Sequence, residues 1–244
     1  CWRTQEWGSD SLLEADDPAF VVDESLRAQR ELLSGYGGNP KVFPERFEED
    51  WNPNQAAISL TGEPTLYRRL GEMIDEFKRR NMTTFLVTNG TTPSVLRRMH
   101  AEGRLPTQLY VTVAAPNASI YRELMASKSE TEFAKLKETL ALLPNLPTRT
   151  VVRHTLVDGW NLGWEEEYGA LDALGKPMFI ECKGYSFVGE SRLRLKAENM
   201  PSHASVRRFA ERLARVTGYG IAAEREDSRV VLLTYDGRLH PIPS

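Results

Sequence analysis

With 244 residues, 41% hydrophobic and 27% charged, the chain is long enough for one α/β domain, and its composition is ordinary for a globular protein. A net charge of −3 argues against indiscriminate coating of nucleic acid, and no run approaches the roughly 18 apolar residues that span a bilayer. Two cysteines, Cys1 and Cys182, make no disulfide framework, and no charged leader with an apolar core opens the chain, so a reducing, cytoplasmic setting is expected.

The chain opens on Cys1-Trp2-Arg3 rather than on Met, which reads as a cut from something longer. Residues 4–17 are polar and acidic, as in a loop. Residues 20–33 look helical and stop at Gly35-Tyr36-Gly37-Gly38-Asn39-Pro40. Residues 41–54 are mixed and read as irregular. The run 55–60 is a short buried strand broken by Thr61-Gly62-Glu63-Pro64, where a helical pattern follows at once. Leu66, Leu70, Met73, Ile74 and Phe77 mark one face of that helix.

Strand and helix then alternate. Residues 83–87 form a strand ending in Thr88-Asn89-Gly90, and Thr92 caps a helix with Pro93 at its first position. Residues 108–113 are a third strand, Asn117 caps a short helix to Leu124, and Phe133, Leu136, Leu140 and Leu143 stripe another. Strands over 148–156 and 178–182 flank a helix that ends at Gly175. Ser202 caps a last helix with Val206, Phe209, Leu213 and Val216 inside, and 219–223 and 229–233 finish as a hairpin. Repeated βα units call for a parallel sheet with right-handed crossovers. The strands are too few for a closed eight-unit barrel, so a partial barrel missing a strand before Cys1 is expected.

In such a barrel every strand end points to one rim. Those ends carry Thr61-Gly62-Glu63, Thr88-Asn89, Thr112, Arg153 with Thr155, and Glu181 with Lys183. Five polar ends in succession indicate a site for a zwitterionic or polyhydroxylated ligand. Gly62 lets a ligand approach the backbone, Glu63 offers a carboxylate to an ammonium group, and Pro64 stiffens the exit. An ordinary strand-to-helix turn with a solvated Glu63 has the same sequence, and an internal ion pair at Arg153 would too. Charge is uneven: residues 1–50 hold 12 acidic and 5 basic side chains, residues 183–215 hold 8 basic and 3 acidic. That excess leaves room for one polyanion-facing surface.

Cys1-Trp2-Arg3, the stretch 58–67, Thr88-Asn89-Gly90, the strand 108–112, Arg153-His154-Thr155-Leu156-Val157-Asp158-Gly159, the stretch 179–185, the Arg192-Leu193-Arg194-Leu195-Lys196 run and Glu198-Asn199-Met200-Pro201-Ser202-His203 come in this order. Together they resemble the tRNA 4-demethylwyosine synthases, a radical S-adenosylmethionine (SAM) family, over nearly the whole chain. The resemblance implies a partial (βα)6 barrel over residues 1–183 that lacks its first strand, with a family-specific tRNA-binding extension over 184–244. It also implies a reaction: two carbons of pyruvate join N1-methylguanosine at position 37 of phenylalanine tRNA, started by a 5′-deoxyadenosyl radical. The implied cofactors are a [4Fe–4S] cluster and SAM, with a second [4Fe–4S] cluster from a missing N-terminal part. The implied partners are tRNA, pyruvate and a flavodoxin- or ferredoxin-type electron donor, with a monomer expected and no membrane.

The resemblance also assigns residues. Cys1 matches the third cluster cysteine. Thr61, Gly62, Glu63 and Pro64 match the turn that receives the SAM ammonium, mostly through backbone groups. Asn89 and Thr112 sit where similar enzymes contact ribose or carboxylate, with Arg153 and Thr155 on the cavity floor. Glu181 and Lys183 are the catalytic candidates, with Tyr185 facing the same rim; Lys183 suits a pyruvate carboxylate or a phosphate. Arg192, Arg194 and Lys196 share one face if extended, as tRNA phosphates require, and Asn199 and His203 hold either the loop or RNA. Cys182 points away from Glu181 and is packing; His100, His154 and His240 lack metal-ligand spacing. The upstream pair of cluster cysteines is absent, so the fragment is expected to be inactive, and Asp158 and Ala114 stand where Lys and Asp are expected. Two rivals stay open: a radical SAM enzyme acting on another substrate, and a non-catalytic RNA-binding α/β domain.

Overall fold

A computed structural model describes residues 15–60, 62–127 and 129–242. Cys1 and Thr61, assigned above to the cluster and the SAM turn, lie outside the described residues. Strands β1 (Gln55–Ile58), β2 (Thr83–Thr88), β3 (Gln108–Thr112), β4 (Arg149–Leu156) and β5 (Phe179–Gly184) pair in parallel in chain order. The hairpin of β6 (Gly220–Arg225) and β7 (Val230–Thr234) continues the same sheet, with β7 antiparallel to β5. The order is therefore β1-β2-β3-β4-β5-β7-β6, with β1 and β6 at the two edges. This is the expected partial barrel with five of its parallel strands, and the C-terminal hairpin extends its sheet.

Alternation along each strand sorts the side chains between two faces. On the outer face Leu86, Leu109, Val111, Val152, Leu156, Ile180 and Cys182 are fully buried beneath the helices. Helices α3 (Leu70–Arg79), α4 (Pro93–Ala101), α5 (Ala118–Leu124), α6 (Glu132–Leu142), α7 (Glu165–Gly175) and α8 (His203–Thr217) supply the covering stripes. Leu70, Ile74, Leu96, Leu136, Leu140, Tyr168, Phe209 and Leu213 carry them. Cys182 is packing, as its parity predicts, and burial pushes its thiol well up. His154 sits on this face too, its Nε2 3.0 Å from the Asp172 carboxylate and its ring 4.4 Å from that of Tyr168.

The approach to β1 differs from the expectation of an irregular segment. Helix α1 (Pro18–Leu33) is clamped to α3 by Asp17–Arg69 and Asp23–Arg80 ion pairs of 2.9 and 2.6 Å. Residues 44–51 then form a second helix, α2 (Pro44–Trp51), which buries no side chain. Local pairs hold it: Phe47 stacks on Trp51 at 5.5 Å and Arg46 meets Glu49 at 3.0 Å. A helix that buries no stripe has no apolar period to read, which is why its sequence looks irregular.

Beyond β1, Pro64–Leu66 makes one 3-10 turn and the helix proper begins only at Leu70. Thr92 occupies the N-cap of α4, but its hydroxyl donates to Thr65 Oγ1 instead of capping. Asn117 and Ser202 do cap, accepting from Ile120 N and Ser205 N at 3.1 Å each. Among the described residues no helix is long and apolar enough to cross a membrane.

Candidate functional site

The carboxyl ends of β1 to β5 meet at one rim, and the β1 loop is its most constrained part. Glu63 accepts from Thr65 N at 3.1 Å, Thr65 Oγ1 at 2.6 Å and Thr88 Oγ1 at 2.6 Å, all on Oε1, and from Asn89 N at 2.8 Å on Oε2. A carboxylate has about four acceptor positions, so nearly all are used. Among the described residues Oε2 accepts one N–H only, which leaves it a position for the ammonium group expected of Glu63. Its carboxylate staples the β1 loop to the end of β2, and the loop's backbone is what faces outward. Gly62 adopts φ +70°, the left-handed region natural to glycine, and a Cβ built there meets nothing within 4 Å. Pro64 opens the 3-10 turn beside it.

Asn89 uses its Oδ1 on Thr91 N and Thr91 Oγ1, at 2.9 and 2.7 Å, leaving both Nδ2 hydrogens without a partner among the described residues. Gly90 follows at φ +74°, where a Cβ would come within 2.7 Å of Leu136 and 3.0 Å of Val111, so any larger residue there is strained and displaces its neighbours.

The inner face of the sheet carries two kinds of polar group. Deep in it, Arg149 Nε donates to Gln108 Oε1 at 3.0 Å, and Gln108 Nε2 donates to Tyr110 Oη at 3.0 Å. Arg153 lies over the Tyr110 ring at 4.7 Å and meets Glu181 at 2.6 Å. Each of these groups has a partner, so the internal ion pair left open above is what forms. Burial pushes the Tyr110 hydroxyl up in pKa, which keeps it protonated. Nearer the mouth stand Thr112 and Thr155, half-buried, with hydroxyls unpartnered among the described residues. Lys183 pairs in register with Thr155 and Val230, and its ammonium has no ion-pair partner among the described residues. It is also the only lysine on a strand among them.

The segment after β5 departs from the extended form that would align Arg192, Arg194 and Lys196. Gly189–Leu193 is a 3-10 turn, so the period-two argument does not hold. All three side chains are nevertheless exposed. Arg194 donates to Leu124 O at 2.8 Å, and Lys196 meets Glu198 at 3.4 Å. Asn199 is structural: Nδ2 donates to Asp158 O at 2.9 Å and Oδ1 accepts from Lys196 N at 2.8 Å. His203 lies 3.1 Å from Glu224 on β6. Tyr185 is buried, its hydroxyl 2.7 Å from Ser191 Oγ, in an apolar cluster with Leu124, Val157 and Leu195 that underpins the rim loops.

The comparisons agree with this architecture. The model of the radical SAM superfamily matches residues 1–169, and that of wyosine base formation matches residues 174–235. The tRNA 4-demethylwyosine synthase of Pyrococcus horikoshii is 50% identical over 239 residues, 97% of this chain and 70% of the relative. The chain belongs to the radical SAM tRNA 4-demethylwyosine synthases. The enzyme of that name from Methanocaldococcus jannaschii is 35% identical, over 98% of this chain and 76% of its own. A solved structure of TYW1 with a lysine–pyruvate adduct bound superposes with a TM-score of 0.82 at 33% identity, covering 96% of this chain and 75% of that one. A crystal structure of archaeal TYW1 superposes at 0.77 with 29% identity, over 97% and 76%.

Radical SAM membership implies SAM and a [4Fe–4S] cluster, and the rim suits the former. A bare glycine backbone, a free amide at Asn89 and free hydroxyls at Thr112 and Thr155 match a ligand with ammonium, carboxylate and ribose groups. Among the described residues no three His, Cys, Asp or Glu side chains gather as a metal site. In the sequence Thr88 is marked only as a polar strand end, not as the hydroxyl that links Glu63 to the Gly90 turn, and Tyr110, which backs Arg153, is not singled out. An inward position on a strand is the one signal available for Tyr110.

Proposed function

We propose that the parent protein joins two carbons of pyruvate to N1-methylguanosine beside the anticodon of phenylalanine tRNA, forming 4-demethylwyosine in the cytoplasm. The observation that carries this reading is the row of polar groups unpaired among the described residues, Asn89, Thr112, Thr155 and Lys183, at the mouth of a barrel belonging to this synthase family. The Gly62–Pro64 backbone, Asn89, Thr112 and Thr155 bind and orient SAM. When bound, the [4Fe–4S] cluster and SAM supply the one-electron chemistry that starts the reaction, with Cys1 as one ligand. A second cluster upstream and a flavodoxin- or ferredoxin-type donor complete the enzyme, which works as a monomer.

Lys183 holds the pyruvate carboxylate, since a compact ammonium at the mouth with no counter-ion among the described residues is suited to a small anion. A relative bearing a lysine–pyruvate adduct supports a lysine near this substrate. Arg153 and Glu181 shape the floor beneath it. The segment 184–202 brings Arg192, Arg194 and Lys196 to the RNA backbone.

The full-length, cluster-loaded enzyme given phenylalanine tRNA carrying N1-methylguanosine, pyruvate, SAM and a one-electron reductant should yield the tricyclic base by mass spectrometry of the tRNA digest; its absence would sink the reading. Lys183→Met should raise the KM for pyruvate about tenfold, the effect of removing one charge-assisted hydrogen bond, and leave SAM affinity alone. An unchanged KM would remove Lys183 from this role.

A further inference from the structure

The last backbone bond between β3 and β4 is Val113 N to Arg153 O at 2.8 Å. Beyond it β3 parts from β4, which stays paired with β5 through Leu156, so on the β3 side the ladder stops short of Thr155, while Thr112 and Thr155 must keep a fixed offset to serve one ligand. Asn161, in the turn between β4 and α7, lies at this point and is fully buried. Its Nδ2 donates to Ala114 O at 2.7 Å and to Thr155 O at 2.8 Å, and its Oδ1 accepts from Val157 N at 2.6 Å. Both amide hydrogens are used, one on Thr155 of β4 and one on the continuation of β3. Behind it, His154 Nδ1 lies 3.3 Å from Val113 O and adds a second tie to the same β3 exit.

We propose that Asn161 is a positioning residue for the site: its side-chain amide replaces the missing peptide pair, continues the β3–β4 ladder by one step, and so sets where the Thr112 and Thr155 hydroxyls stand relative to each other. An amide can do this because it offers two donors and an acceptor in one plane, uncharged at any working pH. Aspartate has the shape but would turn two donors into acceptors facing two carbonyl oxygens. Serine keeps one polar atom and cannot reach both strands.

The inference rests on the reading that Thr112 and Thr155 contact SAM, and a mutant cycle separates the two. On the full-length, cluster-loaded enzyme, SAM affinity is measured by equilibrium binding and tRNA affinity by fluorescence anisotropy. Asn161→Ser should weaken SAM about fivefold, the size of a misplaced hydroxyl contact, with tRNA affinity unchanged. Added to the Thr112→Val/Thr155→Val double variant, it should weaken SAM no further, since residues acting through each other are non-additive. A full effect on that background overturns the inference. If the valine variants weaken SAM and Asn161→Ser does not, the tether alone fails. If the valine variants are silent, the hydroxyl reading fails and takes the tether with it. Should Asn161→Ser not fold, amide hydrogen exchange on the unmutated enzyme decides: Val157 N–H should be protected like a strand amide, and loop-like exchange there overturns the proposal.

Discussion

The floor and the mouth of the inner sheet face are built from similar residue types and behave oppositely. On the floor, Arg149, Gln108, Tyr110, Arg153 and Glu181 satisfy one another through bonds of 2.6–3.0 Å and a ring stacked at 4.7 Å. Two residues further along the same strands, Thr112, Thr155 and Lys183 keep donors unpaired among the described residues, as does Asn89 at the end of β2. Complementarity rather than burial explains the difference, since every group but Gln108 is partly buried in both rows: the floor charges and amide face partners on neighbouring strands, which spares the cost of leaving them unpaired. At the mouth water offsets that cost until a ligand displaces it. On the proposed function, floor groups contribute to stability and mouth groups to binding, and substitutions on either side of that line can break the division.

The largest effect is expected at Arg153. Its partner Glu181 has a side chain only 13% exposed, so Arg153→Ala leaves a carboxylate largely shut away from water. Such orphaning costs about 3 kcal/mol. Urea denaturation of Arg153→Ala should show that loss, and the Arg153→Met/Glu181→Met pair should regain most of it. A loss confined to SAM or pyruvate binding, with stability intact, would put Arg153 among the mouth groups instead.

Glu63 sharpens the comparison because it lies at the mouth and yet has partners on both oxygens. Glu63→Gln replaces an acceptor-only group by an amide that meets three donors on one oxygen and one on the other. One donor, Asn89 N, would then face an NH2 group. A cost of about 2 kcal/mol is expected from weakened charge-assisted bonds and one unpaired amide, with faster hydrogen exchange at Thr65 and Asn89. Stability within about 0.5 kcal/mol of the unmutated chain would leave Glu63 only the role of a ligand for an ammonium group.

Most of the architecture is legible in the sequence because strands and covered helices carry a period: the runs at 83–87, 108–113 and 148–156 are the observed β2, β3 and β4 to within one residue. Helix α2 is not, because it buries nothing. The rim is legible as a set, since each strand end announces a polar residue. What escapes is which of those residues face one another. Glu63 and Thr88 are 25 positions apart, and Arg153 and Glu181 are 28 apart; register alone makes the first pair a staple and the second a closed ion pair. Asn161 escapes for the same reason, since its partners are backbone atoms, and backbone carries no residue-specific mark.

The smallest effect lies outside both rows, on the segment 189–199. Arg192 and Lys196 are exposed and do not share a face by strand geometry, so each should act on RNA as a separate point charge. Replacing either by Ala should change stability by less than about 0.5 kcal/mol, because an exposed cation such as Lys196, 3.4 Å from Glu198, gains little from its pair. Binding is the sensitive readout. Removing one phosphate-neutralising charge should lower the slope of log affinity against log salt by about 0.7 to 0.9, and Arg192→Ala with Lys196→Ala should lower it by about twice that. If both substitutions leave the slope where it was, the RNA runs elsewhere on the rim. The basic excess of 183–215 would then be a solvated face, and mouth and floor alone would define what this sheet does.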